Sequence, residues 1–189
     1  MKILKLEING ESPLLQHDDK TANPFNPFTK RLKEISGKRK KTEDDLLAMA
    51  EIEWEASLYY NQKDGYHIKA ECFEGTFLSA AKAFKLGQVF KQSVSVPINP
   101  KLNFRDNTLL PADLFKKDEY KDFRTVKIST SKILRCRPIF QEWSCTVEVW
   151  FDEVRIDEID LMQILNYSGK YIGVCDYRPK FGRFNLKKI

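Results

Sequence analysis

The chain has 189 residues, of which 42% are hydrophobic and 31% charged. This is the composition of one folded domain with a sizeable core, and it excludes a disordered chain. No apolar run approaches the ~18 residues that cross a bilayer, and MKILKLEING at the start has neither an apolar h-region nor a small-residue cleavage site, which points to the cytoplasm. The formal charge is only +5, but it is unevenly spread, and a local field is what a polyanion meets.

Residues 2–8 alternate, with Leu4, Leu6 and Ile8 on one face and Lys5 and Glu7 on the other, the pattern of a half-buried strand. Pro13, Pro24 and Pro27 argue against a continuous regular element through residues 11–42. Within that stretch Phe25 and Phe28 stand just upstream of a basic run over residues 30–41. The run holds Lys30, Arg31, Lys33, Lys38, Arg39, Lys40 and Lys41 against Glu34 alone. Thr42 is placed to cap a helix on which Leu46, Leu47, Ala50, Trp54 and Leu58 recur at helical spacing. After a break at residues 61–65, a second helix is expected over 71–85, with Phe73, Phe77, Ala80, Ala81 and Phe84 as its apolar stripe and Gly87 as its stop.

Residues 93–98 alternate as a short strand ended by Pro97, and 99–124 read as an excursion with a short helix near 112–120. Residues 125–136 read as a strand. Residues 143–151 give the clearest one, with Trp143, Cys145, Val147, Val149 and Phe151 on one side. Asp157 is a helix N-cap with Asp160 three residues on. The helix runs to about Tyr167 and Gly169 closes it, and a last strand passes through Phe184 and Leu186. The expected fold is α+β: one RRM-like, ferredoxin-like βαββαβ domain over residues 1–189. Its antiparallel sheet holds 2–8, 125–136, 143–151 and 183–188, with helices on one face and excursions at about 11–66 and 99–124.

Three segments carry candidate chemistry. In the basic run, each cation neutralises a phosphate while Phe25 and Phe28 offer stacking surfaces; the competing reading is a solvated loop. Arg135 and Arg137 flank a cysteine at i, i+2 and share a strand face, so they meet either phosphates or carboxylates such as Glu142 or Glu148. In the terminal turn, Gly173 and Gly182 permit positive φ or close approach, beside Arg178, Lys180 and Arg183. Its arginines either fork onto phosphates or pair with Asp176, Glu148 or a helix end. Enzyme signatures are thin. His17 and His67 are the only histidines, and there is no HExxH, GxSxG or P-loop. Cys72, Cys136, Cys145 and Cys175 are scattered without a CxxC pair, as buried reduced thiols and not as a zinc site. No metal and no cofactor is expected.

The order of elements, the helix entry HIKAECFEGTFLSAAK (67–82) and the terminal turn YIGVCDYRPKFGRFNL (171–186) resemble the RAMP superfamily, the RRM-fold backbone and RNA-processing proteins of CRISPR effector complexes. Ile68-Lys69-Ala70-Glu71 stands where that family has a Pro-Gly turn. The SPLL, GKRKKT and DYRPKFGRF segments are also similar to short proteins of tailed phages. The resemblance implies a phage or CRISPR-like setting and a non-catalytic binder of single-stranded RNA or DNA that self-associates along the strand. Two alternatives stay open. One is a metal-independent endoribonuclease in which His17 or His67 helps a 2′-hydroxyl attack its own phosphate. The other is an interaction module that docks on a host protein complex by mimicking a RAMP subunit.

Overall fold

A computed structural model describes residues 1–128 and 131–189. In chain order the elements are β1 (Lys2–Gly10), β2 (Leu14–Leu15), α1 (Pro27–Ser36), α2 (Glu43–Ser57), β3 (Tyr60–Asn61), β4 (Gly65–Tyr66), α3 (Ala70–Ala83), α4 (Gly87–Ser93), β5 (Val94–Ser95), α5 (Pro111–Phe115), β6 (Lys121–Ile128), β7 (Ser131–Phe140), β8 (Ser144–Phe151), α6 (Glu158–Tyr167) and β9 (Phe184–Lys188). They fall into two compact units. The first holds residues 1–14, 60–107 and 141–189, and the second holds 15–59 and 108–140.

The first unit contains a four-stranded sheet in the order β5-β8-β1-β9, antiparallel throughout. The alternation on β1 and β8 sets its faces. Leu4, Leu6, Ile8, Cys145, Val147, Val149 and Phe151 are all buried. Helices α3 and α6 touch each other over that side. Phe73 of α3 meets Phe184 of β9 edge-on at 5.9 Å. On the other side Lys5 lies opposite Glu148 and pairs with it at 3.0 Å, and Glu7 lies opposite Lys187. Trp150 beside the exposed Ile3 is the one aromatic residue there among the described residues.

The second unit is built on the β6–β7 hairpin, on which α2 packs. Trp54 of α2 is buried, donates from Nε1 to the Tyr120 carbonyl at 2.7 Å and meets Phe115 edge-on at 5.6 Å. Thr42 caps α2 as expected, in a full capping box with Asp45, which satisfies two of the orphan N–H groups of a helix start.

The strand expected at 125–136 is corrected. Its residues divide between the end of β6 and the start of β7, with Ser129 and Thr130 outside the described residues, and both strands belong to the second unit. The short β5 takes the outer place beside β8 instead.

Three local expectations also change. Pro27 begins α1 at its first position behind the Asn26 cap, where a missing N–H costs nothing, so half the basic run is helical. Helix α3 ends at Ala83, Lys85 takes the left-handed conformation (φ 62°), and Gly87 begins α4 in place of stopping α3. Gly169 sits inside a π-helical turn (Ser168–Ile172), where Gly173 at φ 79° makes the exit.

Candidate functional site

The basic run lies on α1 and the loop after it, in the second unit. Phe25 is 80% exposed. Phe28 is half-buried, with the Lys20 ammonium and the Arg31 guanidinium each 6.0 Å from its ring centre. Arg31 reaches Glu55 at 3.6 Å and Lys38 pairs with Asp45 at 2.6 Å, while Lys41 donates to the Lys38 carbonyl at 3.2 Å. Lys30, Lys33, Arg39 and Lys40 are exposed and make no ion pair among the described residues.

A half-open cavity of about 300 Å³ lies in the same unit, lined by His17, Thr21, Glu53, Ser57, Val126, Arg135, Cys136 and Arg137. Its origin is a parting of chains. The Gln16 N–H bonds the Pro138 carbonyl at 3.0 Å, and beyond that point the chain leaves the β7 edge. Two residues back along β7, the Cys136 N–H is taken by the Glu53 carboxylate at 3.2 Å, and the same carboxylate accepts from Arg135. Glu53 is 7% exposed, so it needs both partners. The partner of Arg135 is therefore Glu53, and neither Glu142 nor Glu148.

Burial first, and then the Glu53 charge, pushes the Cys136 thiol up to about 12, which keeps it protonated and unreactive. The Thr21 carbonyl, on the cavity wall, accepts from Thr29 in the first turn of α1 at 3.2 Å, which ties the wall to the basic helix. A second, apolar groove of about 260 Å³ adjoins it, with Leu46, Leu47, Met49 and Ala50 of α2 facing Phe123 and Leu134.

The two histidines differ. His17 is exposed and lines the cavity. His67 belongs to the first unit, is buried, and its Nδ1 lies 3.0 Å from the Gly65 carbonyl. Asp18 is buried, accepts from the Asp19 N–H at 2.8 Å and pairs with Lys20 at 3.3 Å. No cluster of metal ligands occurs among the described residues.

The terminal turn lies in the first unit. Arg178 donates to Thr76 Oγ1 at 2.8 Å, and that hydroxyl donates to the Gly173 carbonyl at 2.9 Å, so the expected partners Asp176 and Glu148 give way to α3. Gly173 and Gly182 both take positive φ, 79° and 72°, as their residue type suggested. Gly182 is buried, however, and its N–H bonds the Pro13 carbonyl at 2.8 Å while its own carbonyl accepts from Val174. The close approach that this glycine permits is to Val174 of the same chain. Lys180 and Arg183 are exposed and carry no ion pair among the described residues. Cys72 and Cys175, distant in sequence, are hydrogen-bond neighbours here.

Thr21, Glu53 and Ser57 carry no motif, so the sequence signalled this cavity only through the i, i+2 arginine pair and His17. No helix among the described residues is long and apolar enough to cross a membrane. In comparisons with known proteins, no protein-family model matches the chain, and no curated sequence matches it.

Proposed function

We propose that the protein is a non-catalytic binder of single-stranded nucleic acid, with its backbone contacts on α1 and the loop that follows. One observation carries this reading. Lys30, Lys33, Arg39 and Lys40 stand exposed and without an ion pair among the described residues on α1 and the loop after it, and the exposed Phe25 lies just before that helix, which together offer the backbone neutralisation and stacking surface that a single strand requires. Arginine and lysine paired with carboxylates contribute little to such a field; four left without one contribute most of it.

The first unit fits an RRM-like, ferredoxin-like arrangement: its principal elements β1, α3, β5, β8, α6 and β9 run strand, helix, strand, strand, helix, strand, and its sheet order is β5-β8-β1-β9. That arrangement, with the resemblance of the terminal turn, supports membership of the RAMP superfamily and a phage or CRISPR-like role in the cytoplasm of a host. The uncovered side of that sheet is a poor platform, since Lys5 is neutralised by Glu148 and Trp150 is its only aromatic residue among the described residues. The strand-tracking surface is therefore assigned to the second unit. Self-association along a strand follows from the same resemblance.

The endoribonuclease reading keeps one supporting observation, the exposed His17 on a cavity with Arg135 and Arg137. His67 offers it nothing, buried as it is on the Gly65 carbonyl. The interaction-module reading would place the same four cations against an acidic protein surface.

The test is fluorescence anisotropy of labelled single-stranded RNA and DNA across a salt series, with product analysis in EDTA. Changing Lys30, Lys33, Arg39 and Lys40 together to Ala should flatten the salt slope by about 3, at about 0.7 per phosphate released. An unchanged slope refutes the assignment, and cleaved product in EDTA favours the nuclease.

A further inference from the structure

We propose that the cavity beside β7 binds a phosphate monoester, either at the end of a nucleic-acid strand or on a free mononucleotide, through Arg135, Arg137, Thr21 and Ser57. The strand-end source rests on the nucleic-acid reading above; the site itself rests on the cavity.

Ser57 is the telling residue. It is 6% exposed, lines the cavity, and its hydroxyl makes no hydrogen bond among the described residues. The hydroxyl therefore opens onto the cavity and can donate to, or accept from, a ligand there. The Thr21 hydroxyl on the same wall also has no partner among the described residues. Across from them, Arg135 and Arg137 stand two residues apart on one face of β7. Glu53 takes one donor of Arg135, and a guanidinium has five N–H groups, so Arg135 keeps donors for a second acceptor. The lining carries two guanidiniums and one carboxylate.

The shape and donor set favour a monoester over a diester. A terminal phosphate carries three free oxygens and nearly two charges, which matches two guanidiniums and two hydroxyls. An internal diester has two free oxygens and one charge. A volume of about 300 Å³ is at the small end of ligand cavities and suits a phosphate with its sugar. The protonated Cys136 thiol adds no competing negative charge. Thr29 links the Thr21 wall to α1, so a strand whose end is held here leaves beside Phe28 and Arg31.

The experiment uses the whole chain at one salt concentration and four probes. Three are ten-nucleotide single strands of one sequence carrying a 5′-phosphate, a 3′-phosphate or hydroxyls only. The fourth is adenosine 5′-monophosphate, tested as a competitor. One phosphorylated strand should bind about tenfold more tightly than the hydroxyl-ended strand, the scale of a charge-assisted fork. Ser57→Ala should reduce that ratio to about two, and Arg137→Gln should abolish it. Should Arg137→Gln fail to fold, Ser57→Ala still decides, because it removes only an unbonded oxygen. Displacement by the mononucleotide assigns the site to free nucleotides as well; resistance to it assigns the site to strand ends. Equal affinity for the three strands with no displacement by the mononucleotide overturns the phosphate site and leaves the nucleic-acid reading standing, whereas binding of none of the four probes overturns both.

Discussion

The Glu53 carboxylate receives hydrogen bonds from both the Arg135 guanidinium and the Cys136 amide, so a single side chain of α2 occupies the β7 edge where the chain after Gln16 departs. A strand edge left bare exposes unpaired N–H groups, and here an acid on a helix stands in for the missing strand. The same contact fixes the direction of Arg135 and thereby shapes the cavity.

Removing that carboxylate should be costly. Glu53→Ala leaves Arg135 without its counter-ion and the Cys136 N–H without an acceptor, and should destabilise the protein by about 3 kcal/mol, the low end for a broken buried pair because Arg135 is partly exposed. Glu53→Gln keeps an acceptor for the amide and should cost about half as much. Urea unfolding of the three proteins checks this; equal midpoints would show that the pair holds nothing.

The capping box of α2 should be sensitive to acid. Asp45 is held below the ordinary carboxylate value of 3.8, chiefly by its hydrogen bond from Lys38 and then by the Thr42 N–H. A carboxyl whose folded value is depressed stabilises the fold above the unfolded value, and loses that contribution as pH falls through the folded one. The effect is therefore complete at neutral pH, begins to decline near pH 4 and is lost as pH falls through the depressed folded value. Melting temperatures at pH 7 and pH 3 should differ more in the parent than in Asp45→Asn. The two proteins should converge at the acid end; parallel curves would remove Asp45 from the account.

The local signals were legible and the long-range ones were not. Thr42 and Asp157 cap their helices as read, because a cap is decided within four residues. The alternation of β8 placed Cys145, Val147, Val149 and Phe151 inward for the same reason. Residues 125–136 show the limit. Alternation announces a strand but not its partner, and β6 begins at Lys121 inside a segment so charged that it read as an excursion. Leu46 and Leu47 recur at helical spacing, yet both are exposed, and Trp54 with Ile52 forms the buried side of α2. Glu53 is drawn into the site by a residue 82 positions away, and nothing local marks it.

Gly182 should be intolerant of any side chain. Its φ of 72° disfavours other residues, and a Cβ would overlap the Val174 carbonyl, which is backbone and cannot swing away. Gly182→Ala should lose more than about 3 kcal/mol or fail to fold. Gly65 also has a positive φ but nothing within 4 Å of its absent Cβ, so Gly65→Ala should cost about 1 kcal/mol. Thermal melting of both separates strain with collision from strain alone; equal losses would contradict the packing at Gly182.

The thiols should be silent toward alkylation in the native state. Burial raises Cys136 to about 12 and Cys145 further still, so at pH 8 each is almost entirely thiol. Iodoacetamide should label neither until denaturant is added. Rapid native labelling of Cys145 would mean that the β8 core opens on the timescale of the reaction.

The terminal turn divides its arginines between two duties, and the division is testable. Arg178 donates to Thr76 Oγ1, which is fully buried and in turn holds the Gly173 carbonyl. Removing the guanidinium leaves that hydroxyl one donor short and frees the turn from α3. Arg178→Ala should therefore lower stability by about 1 kcal/mol. Arg178→Lys should recover only part of it, since an ammonium on a flexible stem does not reproduce the planar fork. Arg183 and Lys180 are exposed and unpaired among the described residues, so Arg183→Ala and Lys180→Ala should leave the melting temperature within the range of ordinary surface changes, about 0.5 kcal/mol. If this turn also meets nucleic acid, each of those two substitutions reduces the salt slope by about 0.7. Arg178→Ala then reduces it less, because one of its donors is already committed to Thr76. The reverse order, with Arg178 governing the slope and Arg183 the melting temperature, would show that the Thr76 contact is dispensable and would return Arg178 to the binding surface.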